Sequence, residues 1–308
     1  MSDSHRPEHE EPDFAGQKKD NIRRWWAAAP MTYGEDHGRA VYTFPDGQIE
    51  EAELGSRRFF ELADQVFYRW NQPIHLANAP FGRIFDYDRY RGARVLEIGC
   101  GMGCMAMNWA RQGAQITAID LNPVAVEQTR QRFAVFGLEG DIRQVDAERL
   151  PFDDAQFDFV YSWGVVHHTP GIRRAIAEMY RVLKPGGRAG LMLYHRHSIL
   201  SKILVGWEEG YINMEREFLD SLELSSRYGD GARQEGNPHT WPVTPKEIRR
   251  DLMPQFDELD VRILGTDVPE ALNTWLPQLG RRFPLPFTKA LARRWGWSLW
   301  MTGGKPQW

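Results

Sequence analysis

Cysteine is almost missing from this chain: Cys100 and Cys104 are the two thiols in 308 residues. So few exclude a disulfide framework and a cysteine-built zinc cage, and they fit a reducing compartment. No apolar run reaches the roughly 18 residues that a membrane-spanning helix requires. The N-terminus also lacks the apolar stretch of a secretory signal, so a cytoplasmic location is the expectation. Basic excess is absent as well. Lys and Arg number 38 against 42 Asp and Glu, the net charge is −4, and no long Lys/Arg run occurs. Nucleic acid is therefore not an expected partner, because binding to phosphates requires local positive charge. There is no internal repeat, and no oligomeric state is legible.

What remains has the composition of a soluble globular protein, with 42% hydrophobic and 26% charged residues. The length allows one large domain or two small ones, either with a sizeable core. Aromatics are plentiful, at 12% with 12 tryptophans. Most of them read as core, and some as pocket lining.

Residues 1–21 are polar with hardly an apolar anchor, and they read as a disordered tail. Residues 22–90 are aromatic and irregular, with helix-like pieces such as SRRFFELADQVFYRW, and they read as an N-terminal helical cap. From Ala93 strand-like and helix-like runs alternate: ARVLEIG, a helix to Gly113, AQITAID, a helix to Gly137, DIRQVDA, FDFVYSW, a helix to Leu183, then RAGLMLY. That alternation predicts βαβ units with right-handed crossovers, a Rossmann-like α/β fold over residues 91–308. Asn122-Pro123 and Gly137 mark the ends of one helix, and Lys184-Pro185-Gly186-Gly187 breaks another. The alternation stops over about 198–241, read as an insertion after the fifth strand. Thr244, Pro245 and Glu247 then form a capping box, FDELDVRIL reads as a strand, a helix is expected near Thr288–Trp295, and GWSLWMTGGKP reads as a final strand.

The apolar strand Val95–Ile98 runs into Gly99-Cys100-Gly101-Met102-Gly103, and a helix follows at once. Glycines there permit a sharp turn and the close approach of a ligand to the main chain. A dinucleotide loop wants Gly or Ala at its sixth position, where this chain has Cys104. Asp120, with Leu121 beside it, ends the second strand, where a carboxylate accepts ribose hydroxyls. Asp146-Ala147 ends the third strand and is placed to meet an adenine amine. The three features fall at the carboxyl ends of successive strands, where open α/β sheets bind ligands.

ARVLEIGCGMG, ITAIDLNP, VDAERLPFDDAQFDFVYSWGVVHHTP and EMYRVLKPGGR, in that order and spacing, resemble the class I S-adenosylmethionine-dependent methyltransferases. More narrowly, they resemble the small-molecule branch that includes the quinone-biosynthesis enzymes. The resemblance is strong over about 91–194 and weak over 242–306. It implies a seven-stranded, mostly parallel sheet with the last strand antiparallel, and S-adenosylmethionine as cofactor. It places Gly99, Cys100, Gly101 and Gly103 beneath the methionine part, Glu97 as the organiser of that loop, Asp120 at the ribose and Asp146-Ala147 at the adenine. Ser162, Trp163 and Gly164 would face the methionine end. The Asp/Asn-Pro-Pro-aromatic motif of nucleic-acid amino-methyltransferases is replaced by Ser162-Trp163-Gly164-Val165. A cysteine nucleophile and the paired glutamates of arginine methylation are missing too.

Methyl transfer to a hydroxyl or ammonium requires loss of a proton, for which histidine is suited. His167 and His168, after the fourth strand, are the candidate catalytic bases. Tyr194 and His195, at the end of the fifth strand, and Tyr33 and His37 in the cap are candidate acceptor contacts, with Trp25 and Trp26 as closing groups. Arg281–Trp300, basic and aromatic, reads as a helix on the sheet or as a peripheral membrane contact. No metal is expected. The leading reading is methyl transfer to a small, partly apolar acceptor. Alternatives are a non-catalytic S-adenosylmethionine-binding regulator or partner, and a nicotinamide-dependent oxidoreductase.

Overall fold

A computed structural model describes residues 14–28, 39–44, 47–71, 74–229, 237–265, 268 and 284–307. Its centre is a seven-stranded sheet of order β5-β4-β3-β6-β7-β9-β8. The strands are β3 Arg94–Ile98, β4 Gln115–Asp120, β5 Asp141–Gln144, β6 Phe157–Trp163, β7 Leu183–Tyr194, β8 Asp257–Leu264 and β9 Ser298–Gly304. Pairing from β5 through β7 is parallel. Strand β9 enters antiparallel between β7 and β8. The predicted α/β class and the strand runs named in the sequence agree with this sheet.

Helices α3 Cys104–Arg111, α4 Pro123–Phe136 and α5 Ile172–Val182 are the crossovers. Asn122 caps α4, its side chain accepting from the Val124 N–H, and Gly137 closes the helix in the left-handed region. Helix α5 buries Ile172, Ala175, Ile176, Met179 and Val182 on one face. Full burial of an aliphatic side chain contributes about 1.5–3 kcal/mol, so this stripe fixes the helix on the sheet. Lys184–Gly187 then forms an irregularity at the start of β7: pairing to β6 shifts register between Phe157 and Phe159.

Along β6, Val160 points into an aliphatic core shared with α5, while Phe159 and Tyr161 point into an aromatic core on the other face. That alternation is the two-residue period of a strand. Trp109, Phe85, Tyr87 and Trp300 fill the aromatic side, with ring centroids 4.6 Å apart for Tyr87–Trp109 and 5.6 Å for Phe85–Trp300. The expectation that most aromatics are core holds for these rings.

Two expectations for the N-terminal region need correction. Helix α1, Phe14–Ala28, begins inside the segment read as a tail, because Ile22 is buried and Lys19 is held in ion pairs to the main body. Residues 1–13 lie outside the described residues. The region read as a helical cap also contains a hairpin, β1 Arg39–Thr43 with β2 Ile49–Glu53. Its alternate residues Ala40 and Tyr42 pack with Ala52 on Phe59, Phe60 and Leu62 of helix α2, Arg57–Asn71. The period-two spacing of those residues, rather than helical spacing, decided the outcome.

The segment after β7 carries a π-type helix Leu200–Ile212, a short turn Glu215–Glu217 and helix α6 Ser221–Gly229. The capping box at Thr244 forms as predicted, with Glu247 returning a bond to the Thr244 N–H. Helix α7, Leu285–Trp295, lies on β8 so closely that a Cβ on Gly265 would come 2.4 Å from that of Ala292. Phe287 and Trp295 on this helix are exposed. Arg281 lies outside the described residues.

Candidate functional site

The turn from β3 into α3 is built from three left-handed glycines: Gly99 (φ 83°), Gly101 (φ 52°) and Gly103 (φ 74°). Two of them are required by neighbours. A Cβ on Gly99 would lie 2.3 Å from the Val165 side chain, and one on Gly103 would lie 2.7 Å from Thr129. Gly101 differs: a Cβ there would meet nothing within 4 Å, so its main chain borders open space.

Asp120 holds this turn from the next strand. Its Oδ2 accepts the Gly101 N–H at 3.0 Å and its Oδ1 accepts the Asn122 N–H at 2.9 Å. Burial pushes the Asp120 carboxyl up, and the backbone amides of Asn122, Gly101 and Leu121 oppose that shift. Leu121 offers its carbonyl to the Gln144 side chain. The Cys100 sulfur receives the Thr129 hydroxyl at 3.4 Å. Glu97 is buried beneath the turn. Gly103 has no side chain with which to cap α3, and Glu97 accepts the Ala106 N–H in its place. Burial drives the Glu97 carboxyl up to about 8, against the pull of the Tyr161 hydroxyl, and its Oε2 makes no hydrogen bond of regular geometry.

Asp146 ends the third strand region with its Oδ1 on the Glu148 N–H at 2.9 Å. Its Oδ2 meets Lys19 Nζ of α1 at 2.7 Å, and the same ammonium reaches Glu148 at 2.9 Å. Ala147 packs against the aliphatic core. Helix α1 is further tied down by the Asn122 side-chain amide, which donates to the Trp26 carbonyl at 3.0 Å. Trp26, read as a closing group, stands edge-on to His168 with centroids 5.4 Å apart, and Trp25 stands edge-on to Trp26 at 4.7 Å.

After β6 the chain separates into two uses. Ser162 is fully buried and its hydroxyl donates to the Ile98 carbonyl at 2.9 Å, stitching β6 to β3. Trp163 packs on Phe81 and Trp300. Gly164 takes φ 71°, and the Val166–His168 turn follows. His167 is fully buried, with its ring 4.1 Å from those of both His168 and Tyr194, and neither of its nitrogens has a hydrogen-bond partner. Burial, then the neighbouring His168 and His239, holds its pKa well below the usual imidazole value. The His168 Nδ1 lies 3.0 Å from the His239 carbonyl, 3.1 Å from Asn237 and 3.2 Å from Thr240. Tyr194 also packs on Trp297, tilted, with centroids 4.6 Å apart.

The structure thus brings together Glu97, the glycine turn, Asp120 and Asp146 along one sheet edge, and His167, His168 and Tyr194 beside them. His195 stands apart, its Nδ1 3.1 Å from the Gly296 carbonyl and its ring nearest His197. Tyr33 and His37 lie outside the described residues.

Residues 96–191, spanning the glycine turn, both acids and the histidine turn, match the methyltransferase domain family. That match takes in 96 of the chain's 308 residues. Relatives of this domain include a sterol 24-C-methyltransferase of Gibberella zeae, 30% identical over 44% of this chain and 40% of that protein. A malonyl-[acyl-carrier protein] O-methyltransferase of Enterobacter lignolyticus is 34% identical over 47% of this chain and 57% of that one. A phthiotriol/phenolphthiotriol dimycocerosates methyltransferase of Mycobacterium leprae is 34% identical over 44% and 48%. The chain therefore spans about half the length of these relatives. By fold it resembles the [4+2]-cyclase SpnF, with TM-score 0.51, 21% identity, and 92% and 95% of the two chains covered. It also resembles a SAM-dependent methyltransferase of Methanosarcina mazei, with TM-score 0.50, 20% identity, and 71% and 96% covered.

Several residues at the candidate site carried no usable sequence signal. Lys19 sits in a stretch that reads as a polar tail, and His239 in an insertion without periodicity. Trp297 immediately precedes the last strand. Asn122 was legible as a helix cap but not as a tether for α1. Ile22, Trp25 and Trp26, at spacings of three and four, are the part of α1 that helical periodicity would have revealed.

Proposed function

We propose that this protein transfers a methyl group from S-adenosylmethionine to a small, partly apolar acceptor. The observation that carries the reading is the Gly101–Asp120 arrangement. Its open main chain, its acid tied to that turn and the left-handed glycines suit an adenosyl ligand. Glu97, Gly99, Cys100, Gly101 and Gly103 would hold the methionine part, Asp120 and Leu121 the ribose, and Asp146 with Ala147 the adenine. Gly164 would border the methionine end, while Ser162 and Trp163 act behind it by packing. When bound, the cofactor supplies an electrophilic methyl on a sulfonium.

The chain's own task is to align the acceptor, exclude water and receive a proton. Alignment within about 3–3.5 Å contributes roughly 7–11 kcal/mol to such a displacement. Helix α1 roofs the site through Lys19 and Trp26. His167 and His168 face it as candidate proton acceptors, and Tyr194 as an acceptor contact. The relatives' names include a sterol, a malonyl-[acyl-carrier protein] and phthiotriol/phenolphthiotriol dimycocerosates, and the sterol favours an acceptor with apolar surface. No described helix is long and apolar enough to cross a membrane.

The test is calorimetry with S-adenosylhomocysteine, followed by labelled S-adenosylmethionine with a metabolite extract. Binding with label appearing in a small product supports the reading. No binding overturns it, and binding without any labelled product moves the assignment to a cofactor-binding partner protein.

A further inference from the structure

Resting on the methyltransferase reading, we infer that His239 of the insertion joins His167 to form a paired imidazole receptor that selects an uncharged hydroxyl on the acceptor. The insertion reaches the site through residues 237–241. The Trp241 N–H donates to the His167 carbonyl at 2.9 Å, and the His239 N–H donates to Asn237 at 2.9 Å, so this strand-like run lies along the histidine turn. His239 is buried at 3% exposure and its Nε2 has no partner. His167, at 0%, leaves both nitrogens without one. A buried polar atom without a partner is costly and rare in a folded protein, so these nitrogens call for a ligand's polar group.

The chemistry of that group follows from the walls. Burial, Lys18 and His168 lower the His239 pKa to about 4, and His167 lies well below its usual value. Only the backbone bond to Thr169 pulls His239 the other way. Both rings are therefore neutral at pH 7; the Thr169 backbone takes the N–H of His239 and leaves its Nε2 bare, while His167 keeps one N–H donor and one bare nitrogen. A hydroxyl matches this pair: its hydrogen goes to a bare nitrogen and its oxygen accepts an N–H. An ammonium finds no carboxylate among these partners and is repelled by Lys18. A carboxylate, though attracted by Lys18, has no hydrogen to give the bare His239 Nε2 and sets its lone pairs against it. The Tyr194 ring packs on His167 and on Trp297, and Trp26 stands edge-on to the adjacent His168.

In the reaction, the acceptor oxygen forms the new O–C bond as the sulfonium S–C bond breaks, its electron pair staying on sulfur. The hydroxyl proton passes to a bare imidazole nitrogen of the pair. The acceptor product is an ether.

The test uses protein saturated with S-adenosylhomocysteine and three probes of one shape: 2-naphthol, 2-naphthoate and 2-naphthylmethylammonium. Calorimetry is expected to show 2-naphthol binding at least tenfold tighter than either ion. His239→Ala should weaken 2-naphthol at least tenfold, and His239→Gln, which keeps a donor and an acceptor, should recover part of the loss. Nitrogen NMR should show the His167 ring signals moving when 2-naphthol is added to the parent protein, a readout that stands if His239→Ala fails to fold. Equal or tighter binding of either ion, absence of 2-naphthol binding, or unmoved His167 signals would overturn the inference. Failure of S-adenosylhomocysteine to bind would sink the methyltransferase reading instead, so the two failures are separable.

Discussion

Lys19 Nζ lies 2.7 Å from Asp146 Oδ2 and 2.9 Å from Glu148 Oε2, so one ammonium fastens α1 over the acid assigned to the adenine. Burial lowers the Lys19 pKa, but its bonds to Asp146 and Glu148 outweigh that and leave it raised. Burial raises Glu148, and the Thr169 hydroxyl, Lys19 and the Gly171 N–H outweigh that and leave it lowered. The pairing therefore stabilises fully between the ordinary values of 4.5 and 10.5. It is lost as pH falls through the lowered Glu148 value or rises through the raised Lys19 value. Lys19→Met should speed amide hydrogen exchange over 14–28 several-fold while leaving exchange in β3 and β6 unchanged. Equal exchange in α1 would show that the latch does not hold the helix.

Gly99→Ala and Gly101→Ala should part company. Both force an alanine into the left-handed region, at about 1 kcal/mol. Gly99→Ala also drives a Cβ into Val165, so it should lower the melting temperature clearly more. Gly101→Ala meets no protein atom, so it should lower melting only by the backbone strain while cutting S-adenosylhomocysteine affinity at least tenfold. Melting curves and calorimetry on the two variants decide it.

Asp120→Ala removes the acceptor of the Gly101 and Asn122 amides together with the one assigned to the ribose. Each buried donor left unpaired costs about 1–3 kcal/mol. Cofactor-product affinity should fall by more than tenfold, and an unchanged dissociation constant would remove Asp120 from the site.

Glu97 gives a pH signature. Its folded value of about 8 exceeds its ordinary 4.5, so the folded state binds the proton more tightly. The cofactor-free protein should lose stability as pH rises from 4.5 to 8, by at most about 1.4 kcal/mol per pH unit from this group. Glu97→Gln should flatten that stretch of the curve. Urea melts of both proteins from pH 5 to 8 are the check.

The sheet was legible because each strand and crossover from Val95 to Tyr194 carries its own local punctuation: glycines at Gly99–Gly103, Asn122-Pro123 and Gly137 around α4, and the break after Val182. The acids at strand tips followed from the same order. Contacts made across the sheet edge left no such mark. Lys19 meets Asp146 127 positions away, and His168 meets the His239 carbonyl 71 positions away. Neither has a periodicity, a cap or a motif to announce it. Ser162 shows the converse, since its place in a family motif said nothing of the bond to Ile98 that uses its hydroxyl. The hairpin at 39–53 escaped because its strands are five residues each, too short for period two to stand out among aromatics.

Strand β9 slots between β7 and β8, which otherwise do not pair, and its register sets Ser298 against Tyr194 and so Trp297 against that tyrosine. During synthesis the β7 edge must stay bare until Gly304 has left the ribosome, a long-range closure of the slow kind. Closure of the sheet and packing of Trp297 on Tyr194 are then one late event, and a nascent chain stalled before Ser298 would present the glycine turn without that ring pair beside it.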